Sequence, residues 1–171
     1  MVEVQDDARA TAIRPMILTH GTLEIDDVQQ SMRFYRDFLG MDVIQHVPFG
    51  CRISLGAEWY IVCLEVKHEH NMPIANHFGF DCGSRDDVDA WYARALAERD
   101  TWGLTEITRP KSSHGGYSFH LRDRDRNWWE IQYYEGDSKE VHLAWGQKML
   151  ANAERGRQAR AARAAAAGTQ S

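Results

Sequence analysis

A short acidic segment occurs twice in this chain and predicts a duplicated fold. Asp26-Asp27-Val28 recurs as Asp86-Asp87-Val88, 60 residues later, and each copy follows a strand-like run that carries a histidine. Those histidines, His20 and His77, are 57 residues apart. A repeat of this length is one supersecondary unit whose sheet has a single covered face. The pattern therefore indicates two similar modules, each burying its second face against its twin or another chain.

Hydrophobic periodicity gives both modules the element order βαβββ. In the first module, a strand from Met16 to Ile25 precedes a helix that opens at Asp26 and ends at Gly40. Three strand-like runs follow it, at Asp42–Val47, Cys51–Leu55 and Trp59–Val66. The second module has a strand at Asn76–Cys82, a helix from about Asp86, a strand at Leu104–Thr108 and a closing hairpin.

The closing hairpin places a carboxylate inside an apolar strand. Its strands are Tyr117–Leu121 and Trp128–Tyr134, and Glu130 lies between Trp129 and Ile131. We expect this strand to be fully buried. Because removing an unpaired ionised carboxylate from water is strongly unfavourable, we expect Glu130 to be protonated, salt-bridged or bound to a metal.

Length and composition indicate one compact domain with a tail. The chain has 171 residues, of which 43% are hydrophobic and 26% charged, which is ordinary for a soluble globular protein. We predict a flexible N-terminal arm at 1–15, a domain at 16–135 with modules at about 16–66 and 76–134, and a C-terminal helix with a frayed end at 136–171. The helix carries four arginines on a solvated face, and we assign it no chemistry.

Charge and cysteine content exclude several partners and compartments. A net charge of −5 argues against nucleic acid or an acidic membrane as the main partner. The acidic N-terminal segment has no apolar core of a signal peptide, and three distant cysteines suit free thiols in a reducing compartment. We therefore expect a cytoplasmic protein.

Three ionisable residues occupy otherwise apolar strands. His20, His77 and Glu130 each sit centrally in a strand predicted to line the inside of a sheet. Two imidazoles and one carboxylate can hold one face of a metal ion and leave its other positions open to substrate, water or O₂. The set is the ligand pattern of a 2-His-1-carboxylate metal site.

The chain resembles the vicinal oxygen chelate superfamily, which includes glyoxalase I, extradiol dioxygenases, fosfomycin-resistance thiol transferases and bleomycin-binding proteins. The resemblance covers about residues 16 to 135 and is carried by the paired modules, the segment SMRFYRDFLGMDV and the closing DRDRNWWEI. It implies an α+β fold in which two βαβββ modules form an open curved sheet around a metal site, followed here by a C-terminal helix. It also implies that His20, His77 and Glu130 are the metal ligands and that the chain forms a homodimer.

Two departures from the family pattern affect the expected structure. The family's hairpin turn commonly reads Asp-Pro-Asp-Gly-Asn, whereas positions 123–127 here read Asp-Arg-Asp-Arg-Asn, so Asn127 is the expected left-handed residue. Glyoxalase-type members also use a fourth ligand from the last strand of module one. An ungapped match places Trp59 there, whereas a shifted register would offer Cys63 or Glu65.

Several polar and aromatic residues are candidates for chemistry near the metal. His120, ten residues before Glu130, is a plausible general acid or base because imidazole titrates near neutral pH. An aromatic wall of Trp59, Trp128 and Trp129 would suit a flat substrate. The candidate substrate-binding residues are Thr22, Trp59, Arg52, His114, Tyr117 and Tyr133.

Three functions remain open from the sequence. The leading hypothesis is an Fe(II)-dependent, extradiol-type dioxygenase that cleaves a catechol-like aromatic with O₂. The alternative is a Mn(II)- or Zn(II)-dependent glutathione or thiol transferase, or a glyoxalase-like lyase or isomerase. Thr22, Trp59 and Lys139 favour it, because they fall where fosfomycin-type members place residues that contact substrate. The third is a metal-free drug-binding protein, which has no need for a carboxylate between two histidines.

Overall fold

A computed structural model describes residues 17–56 and 59–168. The predicted arm at 1–15 and Met16 lie outside the described residues. The chain divides into two compact units between Glu69 and His70. Each unit contains one mixed sheet with helices, which confirms the predicted α+β class with a C-terminal helix.

The first unit contains a four-stranded sheet and one helix. Its elements are β1 (His20–Ile25), α1 (Val28–Arg33, continued by a π-helical segment at Phe34–Phe38), β2 (Asp42–Val47), β3 (Gly50–Ser54) and β4 (Tyr60–Glu65). The strand order is β1-β4-β3-β2, with β1 parallel to β4 and the other pairs antiparallel. This is the predicted βαβββ order, although β1 begins four residues later than expected.

Helix α1 starts and stops where the sequence places its signals. The Asp27 carboxylate accepts a hydrogen bond from the Gln30 amide at 2.9 Å, which satisfies one of the exposed donors of the first turn. Gly40 follows the helix with φ +72°, a conformation that favours glycine. The helix packs on β3 and β4, so the first unit buries one face of its sheet and leaves the other uncovered by its own helix.

Period-two alternation sorts the side chains of the first sheet between its faces. Leu23 and Ile25 of β1, together with Ile61 and Cys63 of β4, are buried on the helix side. His20 and Thr22 are exposed and therefore belong to the opposite face.

The second unit contains a five-stranded sheet and three helices among its described residues. They are β5 (Phe78–Asp81), α2 (Arg85–Ala97), α3 (Arg99–Trp102), β6 (Glu106–Ile107), β7 (Lys111–Ser113), β8 (Gly116–Arg122), β9 (Trp128–Tyr134) and α4 (Ser138–Gly168). The order is β5-β9-β8-β6, and β7 pairs with β8. The sequence analysis missed α3 and β7, because α3 is a single turn and β7 is a polar triplet without alternation.

The strand that carries Glu130 is buried on one face only. Trp129 and Ile131 of β9 pack under α2 with Phe119 and Leu121 of β8, all nearly or fully inaccessible. Glu130 alternates with them and therefore points to the other face, where it retains 16% side-chain exposure. The expectation of a fully buried strand is wrong, since α2 covers one side of the sheet and Glu130 lies on the other, which is partly open.

The β8–β9 turn is built on a buried carboxylate. Asp123 is inaccessible to solvent and accepts hydrogen bonds from the Asn127 amide at 2.9 Å and the Trp129 indole N–H at 2.8 Å. Arg126, with φ +66°, is the left-handed residue, which corrects the assignment of that role to Asn127. The Arg126 guanidinium also donates to the His70 carbonyl at 2.7 Å, tying the start of the unit to this turn.

The C-terminal helix α4 docks at its beginning. Asp137 caps it by accepting a hydrogen bond from the Glu140 amide at 3.0 Å. Gly115, in the β7–β8 turn, lies so close to Val141 that a β-carbon on the glycine would be 2.5 Å from the valine Cγ1. Within the described part of the chain, α4 and the other helices lack the apolar length that crossing a membrane requires.

Candidate metal centre

Three possible metal ligands converge on the uncovered face of the second sheet. The donor atoms of His77, His120 and Glu130 all lie within 4.8 Å of one another. His77 Nε2 is 3.0 Å from Glu130 Oε2, and His120 Nε2 is 3.7 Å from Glu130 Oε1. The sheet enforces this proximity, because β5 and β8 both flank β9 and His120 is the register partner of Glu130.

Neighbouring groups hold the ligands in place. The Ser118 hydroxyl donates to Glu130 Oε1 at 2.6 Å. His77 Nδ1 lies 2.8 Å from the Ile74 carbonyl, which only accepts, so Nδ1 carries the proton of that bond. A metal-bound histidine typically has its second ring nitrogen fixed in this way.

The His77–Glu130 contact requires a proton or a metal ion between the two side chains. With Nδ1 donating to Ile74, the other nitrogen of a neutral His77 is a lone pair 3.0 Å from a carboxylate oxygen. Two acceptors at this distance repel unless a proton or a metal ion lies between them. Two imidazoles and a carboxylate suit Zn(II), Mn(II) or Fe(II), so the residues present fit a divalent transition metal.

The cluster lines a polar pocket of about 410 Å³ within the second unit. Lys111 of β7 adds a cation, and His142 of α4 shares a 2.8 Å hydrogen bond with the Tyr134 hydroxyl. Helix α4, to which the sequence analysis assigned no chemistry, therefore contributes a pocket residue. The other lining residues are Gly79, Ser113, His114, Gly116 and Gln132.

Burial and charge shift two acid–base groups of the pocket. Burial lowers the pKa of His120, and the nearby positive groups His77, Lys111 and His114 act in the same direction against the carboxylate of Glu130. Burial raises the pKa of Tyr134, and the negative charge of Glu130 adds to the effect. Both shifts favour the neutral side chain.

Alternation separates the predicted substrate-binding tyrosines from the pocket. Tyr117 donates a hydrogen bond to Asp89 of α2 at 2.8 Å, and it therefore lies on the helix-covered side of β8. Tyr133 is its register partner on β9 and shares that side. Tyr134 lines the pocket instead, and of the predicted substrate-binding residues in this unit His114 also lines it.

The remaining candidates form a row on the uncovered face of the first sheet. The His20 ring stacks on Tyr60 at a centroid distance of 5.2 Å, and the Arg52 guanidinium lies 4.0 Å from the centre of the same ring. Thr22 follows His20 on this face of β1. Trp59 directly precedes β4 and is 37% exposed.

The register of the first sheet identifies the residue equivalent to Glu130. Glu130 pairs with the residue two positions after His77, and Val62 pairs with Thr22, two positions after His20. Val62 cannot bind a metal. Neither alternative fourth ligand is on this face, because Cys63 is fully buried under α1 and Glu65 accepts from the Val28 amide and pairs with Lys67.

Strand alternation predicts some of the residues that line the pocket but not all of them. Because alternate residues of a strand share a face, Gln132 and Tyr134 are predicted to lie on the same face as Glu130, and Ser118 on the same face as His120. No local signal predicts His142, which reaches the pocket through the docking of a helix on Gly115. The proposed aromatic wall is wrong for Trp129, whose ring is buried against Phe78 and Phe80.

A family model confirms the class of protein that this fold and site define. The Glyoxalase/Bleomycin resistance protein/Dioxygenase superfamily matches residues 17–131. The chain belongs to this superfamily, the vicinal oxygen chelate proteins. The match ends within β9, so α4 lies beyond it.

Individual relatives are more distant. The chain is similar to the metallothiol transferase FosB of Staphylococcus haemolyticus, with 28% identity over 81 residues, covering 44% of this chain and 55% of the relative. It thus spans about half the length of that curated relative. Among solved structures, the fosfomycin resistance protein FosX of Listeria monocytogenes has a TM-score of 0.58 at 21% identity, covering 75% of this chain and 99% of the other. A possible glyoxalase of Bacillus cereus has a TM-score of 0.57 at 20% identity, covering 68% of this chain and 98% of the other. Both structural similarities concern the fold alone.

Proposed function

We propose that this protein is a metal-dependent transferase or lyase acting on a small polar molecule, most specifically a metallothiol transferase that uses Mn(II) or Zn(II). The observation that carries the proposal is the convergence of His77, His120 and Glu130 in a pocket whose other lining groups are mainly hydroxyl, amide and basic. The similarity to a metallothiol transferase supports the same reaction class.

The residues of the pocket have distinct roles in this proposal. His77 and Glu130 hold the metal, and Ser118 fixes the orientation of the carboxylate. When bound, the metal supplies a Lewis acid that polarises a substrate oxygen. Lys111 offers a positive charge to an anionic group of the substrate, and Gln132 offers an amide.

The pocket favours this reaction over ring cleavage of a catechol. Apart from imidazoles, Tyr134 is the one aromatic side chain among the described residues that line it. A flat aromatic substrate would be expected to meet more apolar or aromatic side chains than the serine, glutamine, lysine and histidine residues found here. Fe(II), O₂ and an aromatic substrate, all expected at first, gain no support from the relatives, and we do not retain them in the proposal.

Two further expectations remain part of the proposal. His20, on the face of the first sheet opposite α1, is kept as a candidate metal ligand, and Thr22, Arg52 and Trp59 are kept as candidate substrate contacts. A homodimer is expected, because α1 and α2 each cover only one face of their sheets, and the other face is available to a second chain. Light scattering of the purified chain at micromolar concentration measures the oligomeric state directly.

The proposal is tested by loading the full chain with Mn(II) or Zn(II) and supplying fosfomycin with a panel of low-molecular-weight thiols. We expect a thiol adduct, detected by mass spectrometry, whose formation slows roughly 100-fold or more without metal, because metal polarisation is worth several kcal/mol. Glu130→Gln is the matched inactive variant. Adduct formation at the same rate without metal, or catechol-dependent oxygen uptake by the iron-loaded chain, would contradict the proposal.

A further inference from the structure

We infer that His120 is itself a metal ligand, so that His77, His120 and Glu130 form a complete three-donor site within the second unit. The sequence analysis gave His120 the role of a proton carrier and took the third ligand from the first module. This inference deepens the proposed function and rests on it only for the presence of a metal.

Both distances from Glu130 to the histidines fit a shared ion, and since all three donor atoms lie within 4.8 Å, the two histidines need to approach each other by at most about 0.6 Å. Two ligands about 2.1 Å from the same ion are at most roughly 4.2 Å apart. The His77–Glu130 and His120–Glu130 separations of 3.0 and 3.7 Å are within that limit. The two imidazole rings are perpendicular with centroids 4.8 Å apart, so their donor atoms approach a common point without the rings overlapping.

The contact between His120 and Glu130 has the wrong length for a direct hydrogen bond. At 3.7 Å it exceeds the usual N–H···O range of about 2.7–3.2 Å. Both side chains are largely buried, with 15% and 16% exposure. This separation accommodates two ligands of one cation, and no direct hydrogen bond between them has to break when the cation binds.

Each ligand also comes from a rigid position. Glu130 Oε1 is held by Ser118, and His77 by the Ile74 carbonyl. The backbone of His120 is fixed because its amide donates to the Thr108 hydroxyl at 2.8 Å while β8 pairs with β9. Such preorganisation is what a small set of three ligands needs to retain an ion.

The corresponding face of the first sheet lacks these donors. Arg52 is the register partner of Val62 on neighbouring strands, as His120 is of Glu130. A guanidinium has no lone pair for a metal at neutral pH, and a valine has none at all. Among the described residues, the three-donor set therefore lies in the second unit alone, and the inference assigns the third ligand to His120 rather than to His20.

The inference predicts opposite effects for two histidine substitutions. Co(II) serves as the probe, with affinity measured by titration of the full chain and coordination by visible absorption. His120→Ala should weaken Co(II) binding by more than about 100-fold, beyond the 10–100-fold typical of a residue that only supports a ligand. His20→Ala should change it by less than about threefold, and His114→Ala, in the same pocket but outside the cluster, is the matched control.

Chemical rescue separates a ligand from a structural residue. In His120→Gly, added imidazole should restore both the Co(II) affinity and the wild-type absorption band, because it replaces the missing donor in the space left behind. It should not do so in Glu130→Gln. A thermal melt of each variant without metal confirms that it is folded.

The outcomes distinguish this inference from the proposed function. If His20→Ala loses Co(II) while His120→Ala keeps the wild-type affinity and spectrum, His120 is not a ligand, and the proposed metal enzyme stands with a ligand from the first module. If the wild-type chain binds neither Co(II), Mn(II) nor Zn(II), both the inference and the proposed function are wrong.

Discussion

The two modules of this chain have the same strand order but different side chains on their uncovered faces. In the second module, His77 lies two residues before Gly79, which is the register partner of Glu130. His120 is the register partner of Glu130 on the strand at its other side. In the first, His20 has Val62 at the position of Glu130. The two modules therefore have equivalent backbone positions, but only the second has a carboxylate, Glu130, that can bind a metal at this position.

The first module uses its equivalent positions differently. The rings of His20 and Tyr60 are stacked, and Arg52 lies over the same tyrosine. A cation above an aromatic face is stabilised by the ring quadrupole and needs no metal. The difference teaches that the βαβββ frame fixes where side chains point, whereas their chemistry is set position by position.

The largest effect should follow from removing the carboxylate that distinguishes the modules. Glu130→Gln keeps the size of the side chain and its hydrogen bond from Ser118 but removes the negative charge that balances a divalent ion. We expect about one metal per chain in the wild type and essentially none in the variant, measured by elemental analysis after anaerobic purification without chelators. Glu106→Gln, an exposed carboxylate on β6 of the same sheet, should retain the metal; full metal content in Glu130→Gln would remove the distinction between the modules.

A second comparison concerns the helix-covered faces. Trp129 pairs with Phe78, and its equivalent in the first sheet is Ile61, which pairs with Gly21. Trp129→Ala should lower the free energy of unfolding by about 3–5 kcal/mol, because it empties a core position, whereas Ile61→Val should lower it by about 0.5–1.5 kcal/mol. Urea denaturation measures both.

The matched control for the tryptophan is Trp59→Ala. Trp59 is 37% exposed and precedes β4, so its truncation should destabilise the chain much less than that of Trp129. If both alanine substitutions lowered the free energy of unfolding equally, Trp59 would be buried in solution.

The fold was more predictable from sequence than the site. The alternation of hydrophobic residues and the repeated Asp-Asp-Val predict both modules. The two-residue period of the strands also predicts which side chains are buried. Tyr117 and Tyr133 are candidate substrate contacts in the sequence analysis, but the alternation of side chains along β8 and β9 places them on the side of the sheet that α2 covers. This alternation was available from the sequence and would have favoured Tyr134.

Other features of the site depend on tertiary contacts. His142 reaches the pocket because α4 docks on a glycine, and His77 is oriented by the Ile74 carbonyl. The left-handed residue of the turn is Arg126, since Asn127 is needed inside the turn, where its amide donates to Asp123. None of these contacts has a periodic or compositional signal.

Asp123 gives the second unit a characteristic pH dependence of stability. Burial, together with the charge of Asp125, raises its pKa to about 7 from an ordinary value of 3.8. Between these values the folded state binds more protons than the unfolded chain, so stability falls as pH rises through this window and levels off above it. The lowered pKa of Glu65 acts below its ordinary 4.5, whereas the lowered pKa of His120 opposes the trend below its ordinary 6.5. The contribution of Asp123 is therefore measured as the difference between the wild type and a variant without this carboxyl.

The measurement for Asp123 is the urea midpoint at pH 5 and pH 8. Between pH 5 and pH 8, we expect the stability of the wild type to fall relative to that of Asp123→Asn, whatever the absolute stability of the variant. Asp42→Asn, at an exposed position of β2 in the first module, should keep the wild-type difference. An unchanged pH dependence in Asp123→Asn would show that this carboxyl is ionised throughout the range.

The smallest expected effect separates backbone strain from helix docking. Gly40 in the first unit, Gly136 before α4 and Gly115 under α4 all have positive φ, at +72°, +99° and +85°. Alanine at the first two meets no atom within 4 Å, so each substitution should cost only the left-handed backbone penalty of about 1–2 kcal/mol. Gly115→Ala adds a clash with Val141 and should therefore displace the start of α4.

Hydrogen exchange should then accelerate in the first two turns of α4 for Gly115→Ala but not for Gly136→Ala. Equal exchange in both variants would mean that the position of α4, and with it that of His142 in the pocket, does not depend on the contact with Gly115.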